Sequence, residues 1–141
     1  MKQELVRDWM TKDVITITSE TSLTDVHALM RSKNIRRLPV VDHHQIVGMV
    51  TLGDVRGAEP STASSLSVWE MNDLLANLKV AKIMTRNPAT IQQNASIGEA
   101  AKIMLGKKFS GLPVVDEANR LVGIITESDI FRLVASEWSK T

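Results

Sequence analysis

The feature that most limits what this chain can fold into is an internal repeat. Val6-Arg7-Asp8-Trp9-Met10-Thr11 lines up with Val80-Ala81-Lys82-Ile83-Met84-Thr85, and Leu38-Pro39-Val40-Val41-Asp42 recurs unchanged as Leu112-Pro113-Val114-Val115-Asp116. The offset is 74 residues in both stretches (Val6 to Val80, Leu38 to Leu112). One extra turn residue near Asn119 raises it by one. Val47-Gly48-Met49-Val50-Thr51 then matches Val122-Gly123-Ile124-Ile125-Thr126, and Asp54 matches Asp129. Chance does not align so many positions with a single one-residue gap. Two copies of one structural motif therefore share 141 residues. Each is too small to be comfortable alone, so the copies are expected to bury faces against each other as one pseudo-symmetric body.

Each copy reads as strand, helix, strand, strand, helix. Val14 to Ile17 is short and β-branched, as a buried strand is. Ser22 with Asp25, and Ser96 with Glu99, have the capping-box spacing that starts a helix. Leu23, Val26, Leu29 and Met30 then fall at helical spacing, as do Ile97, Ala100 and Met104. Leu38 to Val41 and Ile46 to Thr51 flank the polar link Asp42-His43-His44-Gln45, the pattern of a hairpin. A helix between the first two strands requires a crossover and hence a parallel pairing, so each sheet should be mixed. The expected fold class is α/β (α+β-like): two pseudo-symmetric β-α-β-β-α repeats packed through small mixed sheets. Residues 6–56 make the first, residues 80–138 the second, and residues 57–79 a linker. The linker opens on breaker-rich Gly57 to Ser65, after which Ser67 and Glu70 predict a short helix carrying Trp69, Leu74, Leu75 and Leu78. Ile130, Leu133, Val134 and Trp138 form a last helical stripe.

Composition excludes several classes of function. With 17 Lys+Arg against 16 Asp+Glu the chain has no basic excess to favour nucleic acid. It has no Cys, so disulfides, thiolate metal sites and Cys nucleophiles are out. No apolar run approaches the ~18 residues of a membrane span, and Met1-Lys2-Gln3-Glu4 lacks the pattern of a signal peptide, so a cytoplasmic protein is expected. There is no Walker A loop, HExxH, GxSxG or nucleophile with an evident base, so no catalysis is expected.

The chain resembles the CBS (cystathionine-β-synthase) domain, and the pair of copies resembles the Bateman module. The pieces that carry the likeness are Met-Thr near each start, Leu-Pro-Val-Val-Asp, and Gly-x-x-Thr-x-x-Asp at each end, here Gly48 to Asp54 and Gly123 to Asp129. The resemblance implies a regulatory module that binds AMP, ADP or ATP, or alternatively S-adenosylmethionine or NADH, in clefts between the repeats. It also implies a separate regulated protein and a homodimer through the helices at Leu23–Lys33 and Ile130–Trp138 with their counterparts. The alternative is a ligand-free structural module that dimerises or binds other proteins.

The binding set the resemblance implies is Thr16, Ile17, Arg36, Arg37, Pro39, Thr51 and Asp54, with Thr90, Ile91, Ser110, Gly111, Pro113, Thr126 and Asp129 in the second copy. Thr51 with Asp54, and Thr126 with Asp129, hold a hydroxyl and a carboxylate one turn apart at a helix opening. The carboxylate can accept both ribose hydroxyls, and the threonine can donate to a phosphate near the positive end of the helix. The same spacing is a capping box, so spacing alone leaves both roles open. Arg36-Arg37 stand where the second copy has Ser110-Gly111, and guanidinium groups suit phosphate. Adenine should lie along the first strands, around Ile15-Thr16-Ile17 and Ala89-Thr90-Ile91.

The remaining chemistry-bearing residues read as structural. His43-His44 are adjacent in a turn and rarely converge on one ion, while His27 lacks a recognisable partner. Met10, Met30, Met84 and Met104 occupy equivalent repeat positions and read as packing. Trp9, Trp69 and Trp138 do not repeat, which suits cover for the linker or a subunit contact.

Overall fold

Helix starts are set by the hydroxyl-and-acid spacings. The computed structural model describes residues 4–59 and 66–139. In it the Ser22 hydroxyl accepts from the Asp25 amide at 3.2 Å to open α2 (Leu23–Lys33), after the single turn α1 (Val6–Trp9). Ser96 does the same for Glu99 at 3.1 Å and opens α5 (Ile97–Lys107). Reciprocal capping boxes open α3 (Leu52–Ala58) at Thr51 and Asp54, and α4 (Val68–Asn77) at Ser67 and Glu70. Both α2 and α5 end on a left-handed residue, Asn34 at φ 53° and Lys108 at φ 58°, the usual way to stop a helix. The linker helix expected after Ser67 is thus present; Pro60 to Ser65 lie outside the described residues.

The chain divides into two compact units. The first is Ile15–Pro88, and the second joins Met1–Val14 to Ala89–Thr141. In the first unit β1 (Arg37–Asp42) and β2 (Gln45–Thr51) form the expected hairpin, with Asp42 opposite Gln45. His43 and His44 both take positive φ, 51° and 67°, as the two-residue turn that matches strand twist requires. In the second unit β5 (Gly111–Val115) pairs with β6 (Leu121–Thr126), and β4 (Ile91–Gln92) lies parallel to β5. That sheet is mixed, as the crossover demanded. The strand expected at Val14 to Ile17 shrinks to one parallel bridge, Ile17 to Val40. Its neighbours explain why: a turn closed by Thr18 and Thr21 follows at once, and Asp13 just before has φ 44°.

The units do not follow the order of the sequence copies, because each takes its opening residues from the other copy. β3 (Thr85–Arg86), from the start of copy two, lies antiparallel on β2 in the first unit. Thr11, from the start of copy one, bridges Ile124 of β6 in the second unit, with amide bonds of 2.8 and 2.9 Å. The anchoring repeats as well. Val6 and Arg7 amides donate to Ala95 and Gln93 carbonyls, while Val80 and Ala81 amides donate to Thr21 and Ser19 carbonyls. Val80 accordingly sits in the core of the first unit with Leu23, Val26, Met30, Leu38, Val40, Val50 and Val55. Val6 sits in the core of the second with Ile97, Ala100, Met104, Leu112, Val114 and Ile125.

This exchange also accounts for Gly48 and Gly123. A Cβ built on Gly123 lies 2.6 Å from the Met10 sulfur and 2.8 Å from the Thr11 carbonyl oxygen. On Gly48 it lies 2.5 Å from the Met84 sulfur and 3.0 Å from the Thr85 carbonyl. The repeated methionines thus do two jobs: Met30 and Met104 fill cores, and Met10 and Met84 lie over glycines. The last helix, α6 (Glu127–Trp138), uses half of its expected stripe. Ile130 and Leu133 pack on the second core, whereas Val134 is exposed and Trp138 keeps 82% of its surface in solvent.

Candidate functional site

In the first unit the hairpin brings the opening of β1 beside the opening of α3. Arg37 stands opposite Thr51 in the register, and the Arg36 carbonyl accepts from the Leu52 amide at 2.7 Å. Arg36 is exposed and Arg37 half-buried. Thr51 and Asp54 bond each other reciprocally: the Thr51 amide donates to Asp54 Oδ2 at 2.9 Å, and the Asp54 amide to Thr51 Oγ1 at 3.1 Å. Farther along β1 the Ile17 amide donates to the Pro39 carbonyl at 3.1 Å, which sets Ile17 on the same strand, with Thr16 next to it in the chain. Ile17 and Pro39 are buried and Thr16 is exposed.

In the second unit the same scaffold carries different side chains. Gly111 is opposite Thr126, and the Ser110 carbonyl accepts from the Glu127 amide at 3.1 Å. Ile91 is opposite Val114, next to buried Pro113, with Thr90 half-buried beside it. Asp129 Oδ2 accepts from the Thr126 amide at 2.8 Å and from its hydroxyl at 3.1 Å. Asp129 Oδ1 receives the Thr11 hydroxyl at 3.5 Å and the guanidinium of Arg132. Thr11 and Arg132 are the residues sequence reasoning missed. The repeated Met-Thr pointed to the first, and the absence of a repeat partner for Arg132 (Gly57 holds its place) to the second.

The acid that ends Leu-Pro-Val-Val-Asp is structural in both copies. Asp42 Oδ1 accepts from the Ser19 amide at 3.0 Å, and the Ser19 bonds hold its carboxyl below the usual 3.8. Asp116 accepts from the Arg120 and Ala118 amides at 2.9 Å and from Arg120 Nε at 3.0 Å, and is lowered too. His27 does have a partner, Glu59 Oε1, 2.7 Å from its Nδ1. Among the described residues no three His, Asp or Glu side chains gather as metal ligands, and no helix is long and apolar enough to cross a membrane.

The sequence profile of the CBS domain matches residues 6–61 and 80–136, most of the chain. The chain belongs to the CBS-domain family. A CBS domain-containing protein of Dictyostelium discoideum is 36% identical over 131 residues, 92% of this chain and 90% of that protein. Inosine-5'-monophosphate dehydrogenase of Korarchaeum cryptofilum is 37% identical over 120 residues, 85% of this chain and only 22% of the enzyme. Among solved structures, CBSX2 in complex with AMP superposes with a TM-score of 0.80 at 27% identity, covering 95% of this chain and 98% of that one. CBSX2 is from Arabidopsis thaliana. The CBS domain pair of protein MJ0100, in complex with 5'-methylthioadenosine and S-adenosyl-L-methionine, does so with 0.77 at 33% identity, covering 96% and 99%. The mixed α/β architecture of this CBS pair, with two three-stranded sheets, is that of these neighbours.

Proposed function

We propose that this CBS pair is a non-catalytic sensor that binds an adenosyl ligand and passes its occupancy to a separate protein. The relatives' ligands support the class: AMP, 5'-methylthioadenosine and S-adenosylmethionine differ at the 5' position but share adenosine. The observation that carries the reading is Asp54. Its Oδ2 accepts one bond, and among the described residues no donor reaches Oδ1, although Arg36, Arg37 and Thr51 are close by in the fold. A half-satisfied carboxylate suits the vicinal hydroxyls of ribose, Arg36 and Arg37 suit a 5' phosphate, and Ile17 with Pro39 offers an apolar wall to adenine. In the second unit Asp129, Thr126, Ser110, Gly111, Pro113, Thr90 and Ile91 take the corresponding places. AMP, ADP or ATP fits the arginine-bearing site better than S-adenosylmethionine, because a 5' phosphate meets fixed positive charge where a sulfonium would be repelled; NADH, with its 5' diphosphate, is the alternative. A reducing cytoplasm suits the cysteine-free sequence.

We also propose a homodimer. Phe131 on α6 is 67% exposed, and Trp138, Val134 and, on α5, Leu105 are exposed with it, apolar helix surface that a second copy would cover. The functional reading is tested by a thermal-shift panel of AMP, ADP, ATP, S-adenosylmethionine and NADH on the wild-type protein and Asp54→Ala. A ligand specific to the folded state must raise the melting temperature. At least one should do so for the wild type and less for the variant. No shift with any of them leaves the ligand-free module.

A further inference from the structure

The two copies place an aspartate at the same position and surround it differently. A carboxylate offers about four lone-pair positions to donors. At Asp129 all are taken: the Thr126 amide and hydroxyl at Oδ2, the Thr11 hydroxyl and the Arg132 guanidinium at Oδ1. At Asp54 the bond from the Thr51 amide is the one side-chain bond among the described residues. One position on the helix makes much of this difference. Arg132 lies three residues after Asp129, and the matching residue after Asp54 is Gly57, where an added Cβ meets nothing within 4 Å.

We propose that Arg132 is an internal competitor for the ligand at Asp129, so that the Asp54 site fills first and the Asp129 site opens only when Arg132 is displaced. The proposal rests on the adenosyl reading above and adds an order of filling to it. Asp129 is 2% exposed and Arg132 62%. A pair with both partners in water holds weakly. Here the carboxylate is out of water, so it depends on its protein donors, and a charged donor holds it more strongly than a neutral ribose hydroxyl does. Most of the Arg132 side chain is exposed, so it can swing out, and the block is reversible rather than a dead site.

The probe is 5'-methylthioadenosine, whose uncharged 5' group neither draws Arg132 away nor benefits from it. It is titrated calorimetrically into the wild type, Asp54→Ala and Asp54→Ala/Arg132→Gln. Asp54→Ala confines binding to the Asp129 site, and glutamine keeps helix propensity while removing the charge. The wild type should bind in one dominant event that Asp54→Ala removes. Arg132→Gln should then tighten the remaining site by about tenfold or more. Independently of any ligand, the Arg132 Nη proton signals should be resolved in the wild type by NMR and averaged in Asp129→Asn. Unchanged affinity in the double variant, or averaged Nη signals in the wild type, overturns the proposal while wild-type binding leaves the functional reading standing. A wild type that binds no adenosyl ligand overturns both.

Discussion

Gly123→Ala isolates the contribution of the exchanged segment to stability. Gly123 has a backbone that any residue adopts, since no glycine has positive φ, so conformational strain is not at issue. What stands in the way is the crossing chain: Met10 Sδ at 2.6 Å and the Thr11 carbonyl at 2.8 Å from the new methyl. To reach ordinary contact the sulfur must retreat by about 1 Å and the carbonyl by roughly 0.6 Å. The methionine can rotate. The carbonyl cannot withdraw without stretching the two amide bonds, 2.8 and 2.9 Å, that tie Thr11 to Ile124. Overpacking costs about 1–3 kcal/mol, and loosening two such bonds adds about 1 kcal/mol each. Partial relaxation limits the sum, so we expect about 2–3 kcal/mol and a melting temperature lower by roughly 5–10 °C. Gly106→Ala on α5 is the control, because its new methyl meets nothing within 4 Å and alanine favours the helix. It should leave the melting temperature unchanged or raise it. Met10→Ala added to Gly123→Ala should recover only the sulfur's share. Equal melting temperatures for Gly123→Ala and Gly106→Ala would refute the close crossing of Thr11 over β6.

Arg36→Ala and Arg37→Ala should each lower affinity for ATP more than for adenosine, and raised salt should narrow the gap; calorimetry at two ionic strengths checks this, and equal losses for both ligands would remove the phosphate role. Asp42 has a carboxyl pKa lowered by its Ser19 bonds, so its stabilisation is full above about pH 4 and is lost as pH falls through the lower folded value. Denaturant unfolding should therefore show a shallower loss of stability below pH 4 in Asp42→Asn than in the wild type. Light scattering at micromolar concentration should give a dimer mass for the wild type and a smaller one for Phe131→Glu/Trp138→Glu; a wild-type monomer would end the dimer proposal.

Much of this protein was legible without coordinates, and for a local reason. Caps, turns and stripes act within one or two helical turns, so Ser67 with Glu70, the His43-His44 turn and the packing of Met30 and Met104 announce themselves in sequence. The repeat supplied the architecture, and Gly-x-x-Thr-x-x-Asp marked Asp54 and Asp129 as candidates. Pairing between distant segments was another matter. The two copies repeat the same strand motifs and so present similar sheet edges, and nothing local says which edge a Met-Thr segment joins. Only the tertiary structure shows Val6 in the second core and Val80 in the first. The same holds for Val14 to Ile17, whose β-branched run is cut to one bridge by the turn beyond it. It holds again for the two aspartates. Their spacing is alike, but packing buries one beneath Thr11 and Arg132 and leaves the other half open, because hydrogen-bond saturation depends on neighbours that the motif does not contain.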